Sequence, residues 1–193
     1  MDREIEALLR RADGADGADP EAADALFTLL YNELHRLAES TLRRAGAPLT
    51  LGTTTLLHEA YLNVAGRDGI GFEDRARFLS YLSRAMRGLV IDYARRRLAQ
   101  KRGRLLEITL VGDSDASQPM ARPQSSEELI RLGDALAELA QLEPALSELV
   151  DLHFFCGFTF PEIAALRGVS ERTVQRDWRK ARLLLHQTLT DEA

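Results

Sequence analysis

The residues whose type and spacing point most directly to chemistry are three arginines, Arg172, Arg176 and Arg179. Steps of four and three residues set them on one side of a helix, while Val174, Trp178, Ala181 and Leu185 take the opposite, apolar side. An apolar back fixes the angle of such a helix, and guanidinium donors in front reach phosphates and guanine edges in a DNA major groove. The elements that must hold this helix lie just upstream in TFPEIAALRGVSERTVQRDWRKAR, Thr159 to Arg182. Thr159 and Glu162 have the spacing of a capping box, and Pro161 is tolerated in a first turn. Gly168 can take the positive φ that ends a helix, and Ser170 can cap the next one. Ile163, Ala164 and Leu166 give the first helix its apolar side, with the small Ala164 where two helices would cross closely. The pattern predicts a helix-turn-helix with a cationic outer face.

Catalytic patterns are missing their partners. His58 and Glu59 begin an HExx pattern, but Leu62 stands where a zinc-binding helix needs its second histidine. His35, His153 and His186 fall on separate predicted helices. With neither a phosphate-cradling glycine loop nor a G-x-S-x-G elbow, the expectation is no catalytic residue, no metal site and no cofactor.

A net charge of −5 argues against nucleic acid until its distribution is considered. From Arg84 to Arg104 eight Lys/Arg face the single acid Asp92, and from Arg167 to Arg182 six face Glu171 and Asp177. Binding responds to such local fields over a screening length of about 8–10 Å. Asp92, alone among cations, is placed to orient neighbouring arginines. One cysteine, Cys156, sits inside an apolar run; it excludes an intramolecular disulfide, reads as a small buried residue and fits a reducing cytosol. The charged first residues carry no signal-length apolar core, and no run approaches the roughly 18–20 residues of a membrane span. The expectation is therefore a soluble, cytoplasmic protein.

Helical periodicity extends along most of the chain, with room for one or two domains. Leu26, Leu29, Leu30, Leu34, Leu37 and Leu42 mark a long packing helix over Glu21 to Arg44. Leu56, Leu57, Ala60, Tyr61 and Val64 mark a second, from about Thr53 to Ala65, broken by Gly66, Gly69 and Gly71. A third begins near Glu73, continues through Phe78, Tyr81, Leu82, Ala85, Leu89 and Tyr93, and ends in Arg95, Arg96, Arg97, Lys101, Arg102 and Arg104. Its basic half can lie along a phosphate backbone. Aperiodic LLEITLVGDSDASQPMARPQSS follows, a linker in which ITLV could form only an isolated strand. Ser125 with Glu128 restarts helix through Leu129, Leu132, Leu136 and Leu139, and Pro144 opens another that Gly157 ends. The predicted fold class is all-α: two small helical domains over 1–103 and 126–193, joined by a flexible linker over 104–125. Two tethered readers can engage separated DNA elements with affinity multiplied through effective concentration.

Together these stretches resemble bacterial RNA polymerase sigma factors of the sigma-70 family, in the extracytoplasmic-function (ECF, group 4) variety that keeps only regions 2 and 4. LLHEAYLNV, Leu56 to Val64, is similar to the region-2 helix that grips the polymerase clamp. FLSYLSRAMRGLVIDYARRRLAQKR, Phe78 to Arg102, is similar to the helix that melts and reads the −10 element. LVDLHFFCGFTFPEIAALRGVSERTVQRDWRKAR, Leu149 to Arg182, is similar to region 4, the −35 reader. The resemblance implies that Arg172, Thr173, Gln175, Arg176 and Arg179 face the −35 major groove, with Lys180 and Arg182 on phosphates. It implies that Arg87, Arg95, Arg96, Arg97, Lys101 and Arg102 hold the upstream edge of the −10 region, with the loop from Gly66 to Arg77 near a flipped base. Leu57, Glu59 and Tyr61 would meet polymerase. The implied partners are core RNA polymerase, through its clamp helices and flap, promoter DNA, and an anti-sigma factor or a Ser/Thr kinase.

The chain departs from the family pattern where a run of acids usually precedes the L-x-x-E-x-aromatic motif: it has Gly52, Thr53, Thr54 and Thr55 instead. Thr54 and Thr55 either cap the helix or accept phosphates that restore the missing charge. Gly88 also stands where the family often has asparagine. The alternative function is a helix-turn-helix regulator that binds duplex DNA and never joins polymerase.

Overall fold

Leu26, Leu30, Leu34 and Leu37 all turn inward from one long helix, α1 (Pro20–Ala45), whereas Leu29, expected with them, is 37% exposed because it lies beyond the edge of the buried stripe. The computed structural model describes residues 4–5, 7–8, 11, 20–46, 50–65, 75–102 and 123–191. Against α1 pack α2 (Thr53–Ala65), through Leu56, Leu57 and Ala60, and α3 (Arg75–Arg102), through Phe78, Leu79, Leu82, Met86 and Val90. Each of these side chains larger than Ala60, taken fully out of water, contributes about 1.5–3 kcal/mol to the fold. The loop expected from Gly66 lies outside the described residues up to position 74, and Arg75 to Arg77 already belong to α3.

The second half starts at α4 (Ser126–Leu142), whose cap Ser125 accepts a hydrogen bond from the Glu128 N–H at 3.1 Å. Leu129, Leu132, Leu136 and Leu139 form its buried side. Pro144 opens α5 (Pro144–Val150), and Asp151–Phe155 continues it as a widened π turn closed by the Cys156 N–H on the Asp151 carbonyl at 3.0 Å. Then come α6 (Phe160–Arg167) and α7 (Glu171–Asp191). The described residues are all-α, with no strand among them, and the linker with its short apolar run lies almost wholly outside them.

The apolar run Leu149 to Cys156 explains how these pieces assemble, since a segment apolar on every side must be buried on every side. Leu149 and Leu152 belong to a small cluster with Ile163, Ala164 and Val174 under the helix-turn-helix. Val150, Phe154, Phe155 and Cys156 turn the other way, into a larger core that also holds Leu34, Leu82, Met86 and Val90 of the first half. The two halves therefore share one continuous core. No helix among the described residues is long and apolar enough to cross a membrane.

Candidate nucleic-acid interface

The hairpin forms as its sequence requires. Thr159 and Glu162 make a reciprocal capping box: the Glu162 N–H donates to Thr159 Oγ1 at 3.4 Å, and Glu162 Oε2 accepts from the Thr159 N–H at 2.7 Å. That backbone bond, with a second from the Thr159 hydroxyl, holds the Glu162 carboxyl below its usual range. Gly168 takes φ 63°, where a side chain is disfavoured, and lets the Val169 N–H return to the Ala164 carbonyl at 3.0 Å. Ser170 Oγ accepts from the Thr173 N–H at 3.2 Å and starts α7.

Val174, Ala181 and Leu185 are buried and Trp178 half-buried, which fixes the rotation of α7. His153 reinforces that position: its ring stacks on Phe160 with centroids 4.3 Å apart and meets Trp178 edge-on at 4.6 Å. His153 Nδ1 lies 2.7 Å from the Phe158 carbonyl oxygen, and burial lowers the imidazole's proton affinity. Ser170, Arg172, Thr173, Gln175, Arg176 and Arg179 line one shallow concavity on the outer face. Arg172, Arg176 and Arg179 are exposed there. Gln175 Nε2 donates to Glu171 Oε1 at 2.9 Å, while Arg176 Nε and Nη2 both donate to Asp177 Oδ1, at 3.1 and 3.0 Å. Lys180 is exposed but reaches Glu143, at 2.6 Å, and Arg182 is half-buried with an interaction of its own.

The basic helix α3 is less uniform than its sequence suggests. Arg96 is exposed, Arg97 half-buried, and Lys101 and Arg102 occupy its last turn. Arg95 bridges Asp92, at 3.4 Å, and Asp134 of α4, so Asp92 does orient a neighbouring arginine. Arg87 requires a correction: it is 7% exposed, and its Nε lies 2.6 Å from Oδ1 of Asp151, itself 1% exposed. The N–H is not aligned on the oxygen, so this is a close charge contact without a hydrogen bond. In this arrangement Arg87 cannot reach DNA. Asp151 was missed, although a lone acid inside LVDLHFFC signals a buried charge that needs a partner.

On α2 the exposed residues Thr55, His58, Glu59 and Leu62 follow helical steps and form one stripe, with Thr54 beside it at the helix start. Leu57 is corrected here: it is 1% exposed and belongs to the core rather than to a polymerase-facing surface. Tyr61 is half-buried against Phe27 and donates its hydroxyl to Asp24; burial, then that bond and the Asp24 charge, push its pKa up to about 12. Leu62 is 48% exposed, and its position in HEAYL, one turn past His58 and Glu59, was the available signal that it shares their outward stripe.

A family model for ECF sigma factors matches residues 3–191, and so runs through both helical halves. Searches of the curated proteins and of the solved structures return no match. With the capped hairpin, the basic helix and a family match of that extent in one chain, the protein belongs to the ECF sigma factor family, whose members act in transcription initiation.

Proposed function

We propose that this chain binds core RNA polymerase and directs it to promoters in the cytoplasm, with α3 acting at the −10 element and α7 at the −35 element. The observation that carries this reading is the outer face of α7, where Arg172, Gln175, Arg176 and Arg179 gather around one concavity on a helix fixed from behind by Val174 and Trp178. Such a face suits guanine and adenine edges in a major groove. The exposed stripe Thr55, His58, Glu59 and Leu62 on α2 is the surface we assign to polymerase. Catalysis stays with the polymerase. Mixing purified chain with core polymerase and a promoter library tests the proposal: initiation at defined starts only when the chain is present supports it. Tight duplex binding with no holoenzyme would instead favour the stand-alone regulator.

We further propose that phosphorylation of Thr54 or Thr55 strengthens the polymerase contact. Both hydroxyls are exposed in the first turn of α2, a turn that contains no acid. A phosphate there adds about −1.5 to −2 charges at the positive end of the helix. Thr54→Asp and Thr55→Asp should bind core polymerase about fivefold more tightly than the Ala variants, about 1 kcal/mol from a charge pair formed only across the polymerase interface. Equal affinity and equal transcription in both sets remove the phosphorylation idea.

A further inference from the structure

The two ends of the Gln175 amide are not equivalent on α7. Nε2 donates to Glu171 Oε1 at 2.9 Å, one helical turn nearer the start of the helix. A carboxylate only accepts, so the nitrogen end of the amide is the one that can face it. Gln175 lines the outer concavity beside Arg172 and Arg176, whereas Glu171 does not line it. Glu171 is exposed and adjoins Arg172, yet it forms no ion pair among the described residues; its carboxylate is turned to the amide. The acid that the charge count sets against the basic face is thus tied to one of the groups on that face.

A side-chain amide offers two N–H donors and an oxygen acceptor. With one N–H held by Glu171, the groups left to a ligand are one donor beside one acceptor. Adenine presents the complement in a major groove, N7 as acceptor and the N6 amino group as donor, while guanine presents two acceptors, O6 and N7. An amide free to turn presents both N–H groups and takes guanine O6 or thymine O4 as readily. The held amide meets guanine O6 with its own oxygen, which repels it. Exchanging A·T for T·A reverses the order of donor and acceptor across the groove, so a held amide also tells the two strands apart. The contact settles rotamer freedom of a long side chain before DNA arrives, and such preorganisation favours the base that fits.

We propose that Glu171 is a positioning residue for base reading: by holding Nε2 of Gln175 it fixes the amide so that α7 reads adenine in one strand orientation, in preference to guanine or thymine. The inference rests on the −35 role proposed for α7. Four full-length proteins test it: wild type, Glu171→Ala, Gln175→Ala and the double variant. Each is bound to a randomised −35 duplex pool, both with core polymerase and alone. Wild type should favour adenine over guanine at one position by at least about tenfold, a preference that Gln175→Ala abolishes. Glu171→Ala should lower that ratio to about threefold or less, with ratios at every other position within about twofold of wild type. Because Glu171 acts through Gln175, the double variant should match Gln175→Ala at that position. Helix content by circular dichroism should be unchanged, since alanine favours helix and Ser170 still caps α7.

A wild-type ratio retained in Glu171→Ala overturns the positioning role. So does a loss of preference spread over all positions, which would make Glu171 a support for the start of α7, and so does a double variant that differs from Gln175→Ala. Failure of the proposed function is read separately, as absence of holoenzyme, and the ratio is then taken from the chain bound to duplex alone. No base preference in either form overturns both.

Discussion

Arg87→Ala should destabilise the folded chain by about 3–5 kcal/mol at neutral pH, the loss expected when one partner of a buried ion pair is removed and the other stays behind. The stranded group is Asp151, 1% exposed on the π turn. Burial raises its pKa from 3.8 to about 6 even with Arg87 beside it, the Arg87 and Arg84 charges pulling the other way. A carboxyl whose folded pKa lies above its unfolded one contributes stability that is fully present below the unfolded value, near 3.8, and lost as pH rises through about 6. Removing Arg87 raises the folded value further, so the variant's deficit should be smaller near about pH 5 than near about pH 8, by at most about 1.4 kcal/mol for each pH unit above about 6. Urea denaturation of both proteins at those two pH values checks the sign. The double variant Arg87→Met/Asp151→Leu should recover most of the loss, because apolar replacement of both partners removes the desolvation cost together with the attraction. A deficit independent of pH would show that Arg87 acts through packing of its stem alone.

Local chemistry was legible in the sequence because its causes are local. Thr159, Glu162, Gly168 and Ser170 lie within one short stretch, and each takes the geometry its side chain dictates. The leucine steps of α1 and α4 likewise settle which side is buried. What a single stretch cannot carry is the partner of a long-range contact. Arg87 belongs to a run of cations, and charge predicts solvent, yet its neighbour in space comes from the other half of the chain. Adjacent Leu56 and Leu57 both turn inward because α2 is covered by α1 on one side and α3 on the other, a width no spacing of two residues reveals. The contacts that α3 makes with the second half were hidden for the same reason. Ser80, Ser83, Arg87 and Arg95 read as ordinary polar positions until Glu148, Cys156, Asp151 and Asp134 are set against them. Of the arginines that the resemblance assigns to the −10 region, Arg96 is exposed and Arg87 is not.

The same distinction between exposed and engaged arginines bears on the −35 end. Arg176→Ala should cost about 1–3 kcal/mol in holoenzyme affinity for a −35 duplex, and the cost should fall on sites with guanine at one position. The side edge of this guanidinium is occupied, since Nε and Nη2 both donate to Asp177 Oδ1, and that leaves the Nη1 end for the O6 and N7 acceptors of guanine. Asp177 is therefore a positioning residue: Asp177→Ala should flatten the preference at the base Arg176 reads, and the loss of a negative charge should leave general affinity equal or higher. Lys180→Ala is the contrasting case. Its ammonium faces Glu143 and suits a phosphate rather than a base edge, so its loss should weaken every sequence alike and reduce the slope of log affinity against log salt by about one at most. Binding of a randomised −35 duplex pool at two salt concentrations separates the three outcomes. An unchanged base preference in Arg176→Ala removes that residue from the specificity set, and an unchanged preference in Asp177→Ala leaves the Arg176–Asp177 pair a surface contact with no role in reading.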